Sequence, residues 1–466
     1  MNPILARRLT GLGVAEGLEE MFAHPGAVYF TGLARVDGRQ VMVVATDCEP
    51  PPQPPDLAAS LARVVKALCL AGEKACPVVF LHDSPAPYRS GRTAFQGSGV
   101  DLMMGPNGVG RQYFETCRLL GRVPLVCGMF GNMAQAQAFP VAMCDAVVMM
   151  RDASLSVARP DAVRAMLGEE VSYQQLGGAH MHSRLTGSCD ELAESEEEVF
   201  AWIRRYLSYL PANCAQAPPC QPPSPPDAQA PSLESIIPDE LNHPFDVRRA
   251  IASLVDQGRF LEMGRHFAGE VVTGFMHIEG KPAGVIANNP QVKGGVIFPE
   301  TCRKMTRFIN LCGVFNLPLV FLADAPGFMI GSAAEKAGIV RAGARLFAAI
   351  ARSPSPRLCI VLRRAYTAGM YAMAGSGFAP KALYALPGAS ISVYGPEAVA
   401  RFINGLDLPA EEKQAIRGRM EADARLESLV EHGFLTGVIE PKKVRATIAQ
   451  FLQDALAAGT RGNSGI

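Results

Sequence analysis

The sequence predicts a layered α/β fold that is built twice. Short apolar runs of strand length, such as Leu319 to Leu322 and Leu358 to Leu362, are each followed by a turn and a segment of helical spacing. Four segments of the first half recur in order in the second. TGLARVDGRQVMVVATD from Thr31 is echoed by TGFMHIEGKPAGVIANNP from Thr273, and PVVFLHDSPAPY by PLVFLADAPGF. PLVCGMFGNMAQAQAF is echoed by PRLCIVLRRAYTAGMY, and ASLSVARPDAV by ASISVYGPEAV. The spacings are 241 between Asp83 and Asp324, 232 between Pro124 and Pro356, and 236 between Pro160 and Pro396. Such ordered self-similarity indicates an internal duplication. Residues 211 to 232, dense in Pro, Ala and Gln, lie between the copies and are expected as an extended, exposed linker. The domains are thus 1–210 and 233–466.

In chain order, residues 1 to 26 read as a short helical lead, with Leu18, Met21 and Phe22 on one side. A hairpin follows over 28 to 47, with Asp37-Gly38 as its turn. Pro50 to Pro55 is a proline-rich loop, Leu57 to Leu70 a helix, and Pro77 to Leu81 a buried strand ending at His82-Asp83-Ser84-Pro85. Gly105 to Gly110 is a loop, Arg111 to Leu120 a helix and Pro124 to Gly128 a strand. Residues 146 to 160 read as a strand pair, followed by a loop and a helix over Glu194 to Tyr209. In the second copy, Asp324-Ala-Pro-Gly-Phe328 stops a strand, because Pro326 and Gly327 do not extend one. Glu335 to Ala351 is helical, with Ile339, Ala342, Leu346 and Ile350 on one side. Tyr366-Thr-Ala-Gly369 turns the next strand into another helix.

Composition excludes some functions. The 44 basic and 44 acidic residues cancel, which removes the electrostatic case for nucleic acid or an anionic membrane. No apolar run reaches the length of a membrane span, and no signal peptide is evident. Twelve cysteines without a CxxC pair predict a reducing cytoplasm and buried thiols, among them Cys127 and Cys144. Asp83 and Asp324 are expected to cap turns at strand ends. His180 and His182 lie on an extended segment without further ligands, a poor metal pair. Met103-Met104 and Met149-Met150 are expected in packing.

The chemistry is sought at the turn Ala368-Gly369. Small residues after a strand let a ligand approach the backbone and leave helix-start N–H groups to face an anion, as an oxyanion hole requires. A tight structural turn explains the same residues. By the 232 spacing, the first copy has Ala136-Gln137 at this place.

Several segments resemble the carboxyltransferase β-subunit family of biotin-dependent acyl-CoA carboxylases, of the propionyl-CoA and methylcrotonyl-CoA carboxylase type. They are SIIPDELNHPFDVRRAIASLVDQGRFLEM, EVVTGFMHIEGKPAGVIANNP, FINLCGVFNLPLVFLADAPGFMIG, EKAGIVRAGARLFAAIA, AYTAGMYAMAG and LPGASISVYGPEAV, with EEVSYQQLGGAHMHSRLTG and the hairpin in the first half. The resemblance implies two tandem crotonase-like (ClpP/crotonase) domains and a trimer of face-to-face dimers. It implies an acyl-CoA thioester at the N-terminal domain and carboxybiotin at the C-terminal domain of a facing subunit. The biotin is expected on a carrier of a partner biotin carboxylase. Ala368 and Gly369 are then expected to hold the biotin oxygen. Ala136 and Gln137 stand where the family has a Gly-Gly pair. Ala158, Arg159, Pro160, Tyr366 and Thr367 complete the expected substrate-binding set.

The first half departs from the family pattern. Ser84-Pro85-Ala86-Pro87 replaces a glycine-rich turn, and prolines have no N–H to offer. Gln137 brings a bulky polar side chain, and three residues are expected as an insertion around Gly131 to Met133. The family's N-terminal helices are expected to be shortened, because the hairpin starts at Val28. A decarboxylase or transcarboxylase subunit, or a catalytically degenerate assembly subunit, are the competing expectations.

Overall fold

The computed structural model describes residues 2–14, 17–48, 55–84, 99–393 and 395–458. The chain divides into two compact units between Ala217 and Pro218.

Unit 1 opens with a helix over Pro3–Leu12, capped by the Asn2 side chain and ended by Gly13 in the left-handed region. The helical lead stops there. Leu18 lies outside it, beside a two-residue strand β1 (Glu19–Glu20) that pairs with the hairpin. The hairpin strands β2 (Tyr29–Val36) and β3 (Arg39–Thr46) run in antiparallel register from Tyr29 opposite Thr46 to Val36 opposite Arg39. Asp37 and Gly38 have φ of 47° and 79°, the two left-handed residues that match a tight turn to the twist of its strands. A helix over Leu57–Lys74, capped by Asp56, leads to β4 (Val78–His82). Helices at Gly99–Met104 and Val109–Leu119 lead to β5 (Leu125–Met129). Then come β6 (Asn132–Ala134), β7 (Ala146–Met150), β8 (Ser154–Ser156), β9 (Glu191–Ala193) and the helix Glu196–Tyr209.

Among the described residues the main sheet has the order β1-β2-β3-β4-β5-β7-β9, parallel from β3 onward. Its central strands are apolar without alternation because helices cover both faces, and Val78, Val79, Phe80 and Leu81 are all at most 1% exposed. β7 and β8 are not a pair: β7 lies in the main sheet, whereas β8 pairs with β6. The stretch between Ala158 and Glu191 is not a loop. It carries helices at Pro160–Leu167 and Tyr173–Gly177 and a π-helical turn at His182–Thr186.

Unit 2 repeats the plan. Its strands are β10 (Phe260–Met263), β11 (Val271–Ile278), β12 (Lys281–Asn288), β13 (Leu319–Ala325), β14 (Arg357–Tyr366), β15 (Ala382–Ala385), β16 (Ser390–Ser392) and β17 (Gly437–Val438). The order β10-β11-β12-β13-β14-β15-β17 matches that of unit 1. The hairpin turn is again two left-handed residues, Glu279 at φ 52° and Gly280 at 73°. The ten residues of β14 do the work of β5 and β6 together: their last three pair with β16 as β6 pairs with β8. Asn132 sits opposite Ser154 and Arg364 opposite Ser390, so the 232 spacing holds through the turn. Of the three residues expected as an insertion against the family, Asn132 and Met133 lie in strand β6 and Gly131 just precedes it, and none is surplus relative to unit 2.

Two expectations need correction. The helix expected over 335 to 351 is broken: Ser332–Lys336 ends at Ala337, and Gly338 at φ 80° starts a new helix, Ile339–Arg352. The proline-rich segment is not an exposed tether over its whole length. From Pro218 it packs on unit 2, where the Gln221 N–H donates to the Gly280 carbonyl, the Gln257 N–H to the Pro225 carbonyl, and Arg445 to the Ser224 carbonyl, all at 2.8 Å. Proline removes donors from this segment but leaves its carbonyls to be satisfied.

Candidate active site

A buried aspartate stands at the C-terminal end of both β4 and β13, Asp83 just past His82 and Asp324 just before Ala325, and neither is only a turn cap. Asp83, 1% exposed, accepts from the Ser84 N–H at 2.6 Å, and its other oxygen takes the Arg8 guanidinium at 2.8 Å. Arg8 also holds Glu196 at 2.8 Å and lies 4.0 Å over the Phe130 ring. Burial alone would lower the Arg8 guanidinium; the Glu196 hydrogen bond and the Asp83 charge outweigh it and raise it. Asp324, fully buried, takes Arg363 at 2.7 Å and Arg364 at 2.6 Å. These pairs brace the strand ends beside which the two turns lie.

The turns correspond residue for residue. Ala134 and Tyr366 are the last extended residues, at φ −144° and −110°. Gln135 and Thr367 then adopt φ of 62° and 47°, and a short helical turn begins. Neither is glycine, so each left-handed residue stores strain on the order of 1–3 kcal/mol, a feature that clusters at ligand sites. Ala136 and Ala368 are half-buried. As first-turn residues, 136–137 and 368–369 carry N–H groups without an intrahelical acceptor.

Each turn opens on a cavity of its own unit. In unit 1 a cavity of about 830 Å³ is lined by Gln135, Ala136, Gln137, Arg159, Tyr113 and Met103, among others. In unit 2 a cavity of about 920 Å³ is lined by Thr367, Ala368, Met370, Tyr371, Phe378 and Phe434, among others. Gly369 lies beneath the second turn. A Cβ there would stand 3.0 Å from the Gly327 Cα and 3.2 Å from the Ala325 Cβ, so a side chain fits only if the neighbouring backbone gives by a few tenths of an ångström. The expected Tyr366 is 6% exposed and spends its hydroxyl on Ser390 at 3.0 Å; burial raises its pKa. It supports the turn from below.

In unit 1, Arg159 lines the cavity, whereas Ala158 is not among the described lining residues and its carbonyl accepts from Ser156. Pro160 is the first residue of its helix and pre-sets the helical φ. Bulk is exchanged between the units here. Unit 2 has Tyr366 against Gly395, where a Cβ would lie 2.9 Å from the ring; unit 1 has Ala134 and, 236 residues before Gly395, Arg159. Arg159 thus brings a cation, ion-paired with Asp161 at 3.1 Å, to a wall that is aromatic in unit 2.

The Gln137 side chain forms a reciprocal amide pair with Gln112, 3.1 Å in each direction, and the Tyr113 hydroxyl donates to the Ala136 carbonyl at 2.5 Å. Gln112, Tyr113 and Gln135 were missed in the sequence. The 232 spacing that found Ala136 also pairs Gln135 with Thr367, but helix periodicity reads Gln112 and Tyr113 only as surface or core. Pro85, Ala86 and Pro87 of the altered turn, and most of the loop Pro50 to Pro55, lie outside the described residues. Met103 and Met104, 52% and 83% exposed, are not packed within this unit, unlike the buried Met149. His182 lies on a helical turn rather than an extended segment, bonded to the Leu155 carbonyl and Thr186. Among the described residues no three His, Cys, Asp or Glu side chains cluster at metal-binding distance. No described helix is long and apolar enough to cross a membrane.

A family model described as a carboxyl transferase domain matches residues 16–461. The chain is 36% identical over 431 residues to the uncharacterized carboxylase YngE of Bacillus subtilis (strain 168), covering 91% of this chain and 83% of that one. It is 32% identical over 429 residues to the propionyl-CoA carboxylase beta chain of Roseobacter denitrificans, covering 90% and 81%. A crystal structure of transcarboxylase 12S, with methylmalonyl-coenzyme A and methylmalonic acid bound, aligns with TM-score 0.87 at 27% identity, over 99% of this chain and 91% of that one.

Proposed function

Because the chain belongs to the carboxyl transferase domain family, we propose that it moves a carboxyl group between carboxybiotin and the α- or γ-carbon of an acyl-CoA, as the carboxyltransferase component of an acyl-CoA carboxylase. The observation that carries this reading is the pair of matched turns, each entered through a strained left-handed residue and each opening on a cavity. A carboxyl exchange has two sites of developing negative oxygen, and two tandem crotonase-like units supply two sets of backbone donors.

Unit 1 is the acyl-CoA side in this reading. The N–H groups of Ala136 and Gln137 hold the thioester oxygen as the adjacent carbon loses its proton and gains enolate character. Arg159 borders that cavity, and the 52%-exposed Met103 contributes apolar wall. Unit 2 is the biotin side. Thr367, Ala368 and Gly369 bring backbone close to the ligand, and the absence of a Cβ at Gly369 lets the turn seat on Gly327. Carboxybiotin, carried by a partner biotin carboxylase or carrier protein, supplies the carboxyl group and, once discharged, a basic ureido oxygen. No side-chain base is then needed: the chain contributes position and fixed dipoles. A homo-oligomer, a trimer of dimers in the cytoplasm, is the assembly that goes with this reading; transcarboxylase 12S is described as a hexamer.

The same donors serve the reverse transfer, so a transcarboxylase or decarboxylase role is the second reading, favoured by the 0.87 structural match to transcarboxylase 12S. The test is transfer of carbon-14 from bicarbonate. The chain is combined with a biotin carboxylase, its biotinylated carrier and ATP, and a panel of acyl-CoAs is screened. Acid-stable label on one acyl-CoA is expected and names the acceptor. Faster discharge of the carboxylated carrier without labelled acyl-CoA replaces this reading with decarboxylation. A carrier left untouched makes the chain an assembly subunit.

A further inference from the structure

Unit 2 seats its turn by backbone contact, through Gly369 on Gly327, and unit 1 has Gln137 at the corresponding place. Something else must hold the first turn against the strain of Gln135 at φ 62°. Two consecutive residues of the helix Val109–Leu119 reach it. The Tyr113 hydroxyl donates to the Ala136 carbonyl at 2.5 Å, and the Gln112 and Gln137 amides exchange two hydrogen bonds of 3.1 Å. We propose that Gln112 and Tyr113 are positioning residues that clamp the Ala136–Gln137 peptide so that its N–H faces the unit 1 cavity.

The geometry follows from the planar trans peptide. The carbonyl of Ala136 and the N–H of Gln137 belong to one rigid unit and point in opposite directions. Fixing the carbonyl on the phenol therefore fixes the N–H on the other side. Gln112 is 1% exposed, so its amide has no water to turn to and is held in the pair with Gln137. Tyr113 packs edge-on against Phe139 at 5.9 Å, which holds the ring in place, and burial raises its pKa, so the hydroxyl stays a donor. The unit 2 residues 232 further on are Ala344 and Arg345, which offer neither a phenol nor an amide, so the clamp belongs to unit 1 alone. Gln137, which departs from the small residue of unit 2, is thereby a part of the turn's support.

The role in catalysis rests on the acyl-CoA reading of unit 1; the clamp itself is tested separately. Tyr113→Phe removes one hydroxyl, and Gln112→Leu removes the amide pair at similar volume. Hydrogen exchange followed by mass spectrometry is measured on the full chain. Peptides covering residues 132–139 are expected to exchange roughly 10-fold faster or more in both variants, with the β2–β3 hairpin unchanged. In the labelled transfer assay kcat is expected to fall roughly 10- to 100-fold, with KM for the acyl-CoA within about 2-fold. Unchanged exchange at 132–139, or a kcat equal to that of the unaltered chain, overturns the clamp. A rise in KM with unchanged kcat makes these residues ground-state binders and overturns it too. If the unaltered chain carboxylates no acyl-CoA, the acyl-CoA reading falls, and the exchange measurement alone decides the clamp.

Discussion

Units 1 and 2 solve one structural problem in two ways. Each has an aspartate at the end of the same buried strand, 241 residues apart. Unit 2 neutralises Asp324 from the neighbouring strand, with Arg363 and Arg364. Unit 1 has Gly131 where Arg363 stands, and a Cβ at Gly131 would lie 2.0 Å from the Asp83 oxygen, so no arginine fits there. Its arginine, Arg8, comes instead from the N-terminal helix and is shared with Glu196. The difference teaches that the carboxylate is the fixed element and its counter-ion is replaceable. A buried charge must be paired, but physics does not say from which part of the chain. The two turns teach the same lesson, one held by a missing Cβ and the other by side-chain hydrogen bonds.

The sharpest way to break this comparison is to remove the arginines. Arg8→Met leaves Asp83 buried without its guanidinium and is expected to cost about 3–5 kcal/mol. Arg363→Met leaves Arg364 on Asp324 and is expected to cost less, about 1–3 kcal/mol. Urea unfolding followed by the fluorescence of Trp202, the one tryptophan, reports unit 1, and followed by hydrogen exchange of β13 and β14 peptides it reports unit 2. Adding Gly131→Arg to Arg8→Met restores nothing, because the space is absent; recovery would show that crowding at Gly131 is not what keeps the arginine off this strand.

Next in size is Gly369→Gln, which gives the second turn the residue that the first carries. With Gly327 only 3.0 Å from the new Cβ, the turn must shift. Carboxyl transfer is expected to fall roughly 10²–10³-fold, the scale of a lost oxyanion donor. Full activity would mean that the seating on Gly327 is dispensable.

His82 separates the units by pH. It follows Leu81 in β4, is 2% exposed, stacks on Phe80 and sits 3.3 Å from the Thr46 hydroxyl; unit 2 has Ala323 at this place. Burial lowers its pKa from the ordinary 6.5 to about 4. The folded form therefore binds fewer protons than the unfolded one between these values, and stability rises with pH across that window. Unit 1 is expected to keep this contribution above pH 6.5 and to lose about 3 kcal/mol as pH falls to 4, with no further loss from this group below. His82→Gln should flatten the Trp202 unfolding profile between those pH values; an unchanged slope assigns it to other groups.

The smallest effect distinguishes the hairpins. Gly38→Ala meets nothing within 4 Å and costs only its left-handed backbone, about 1–2 kcal/mol. Gly280→Ala adds a Cβ 1.9 Å from the Gln221 carbonyl, so it should cost more and loosen the proline-rich segment. Equal losses in urea unfolding would show that this segment yields freely.

The sequence by itself determined the α/β class, the ordered repeat and the place of both turns. These rest on local chemistry: apolar runs make buried strands, Asp-Gly and Glu-Gly adopt left-handed turns, and equal spacing carries one register into the other. It also marked Asp83 and Asp324, though as caps. Only the tertiary structure decided their ion pairs, the union of β5 and β6 into the counterpart of β14, and the split of β7 from β8. It alone joined Gln112 and Tyr113 to the turn at Ala136. These depend on contacts between residues distant in sequence, where a side chain's partner is set by which helix lands on which strand end. No periodicity in a single strand or helix encodes that.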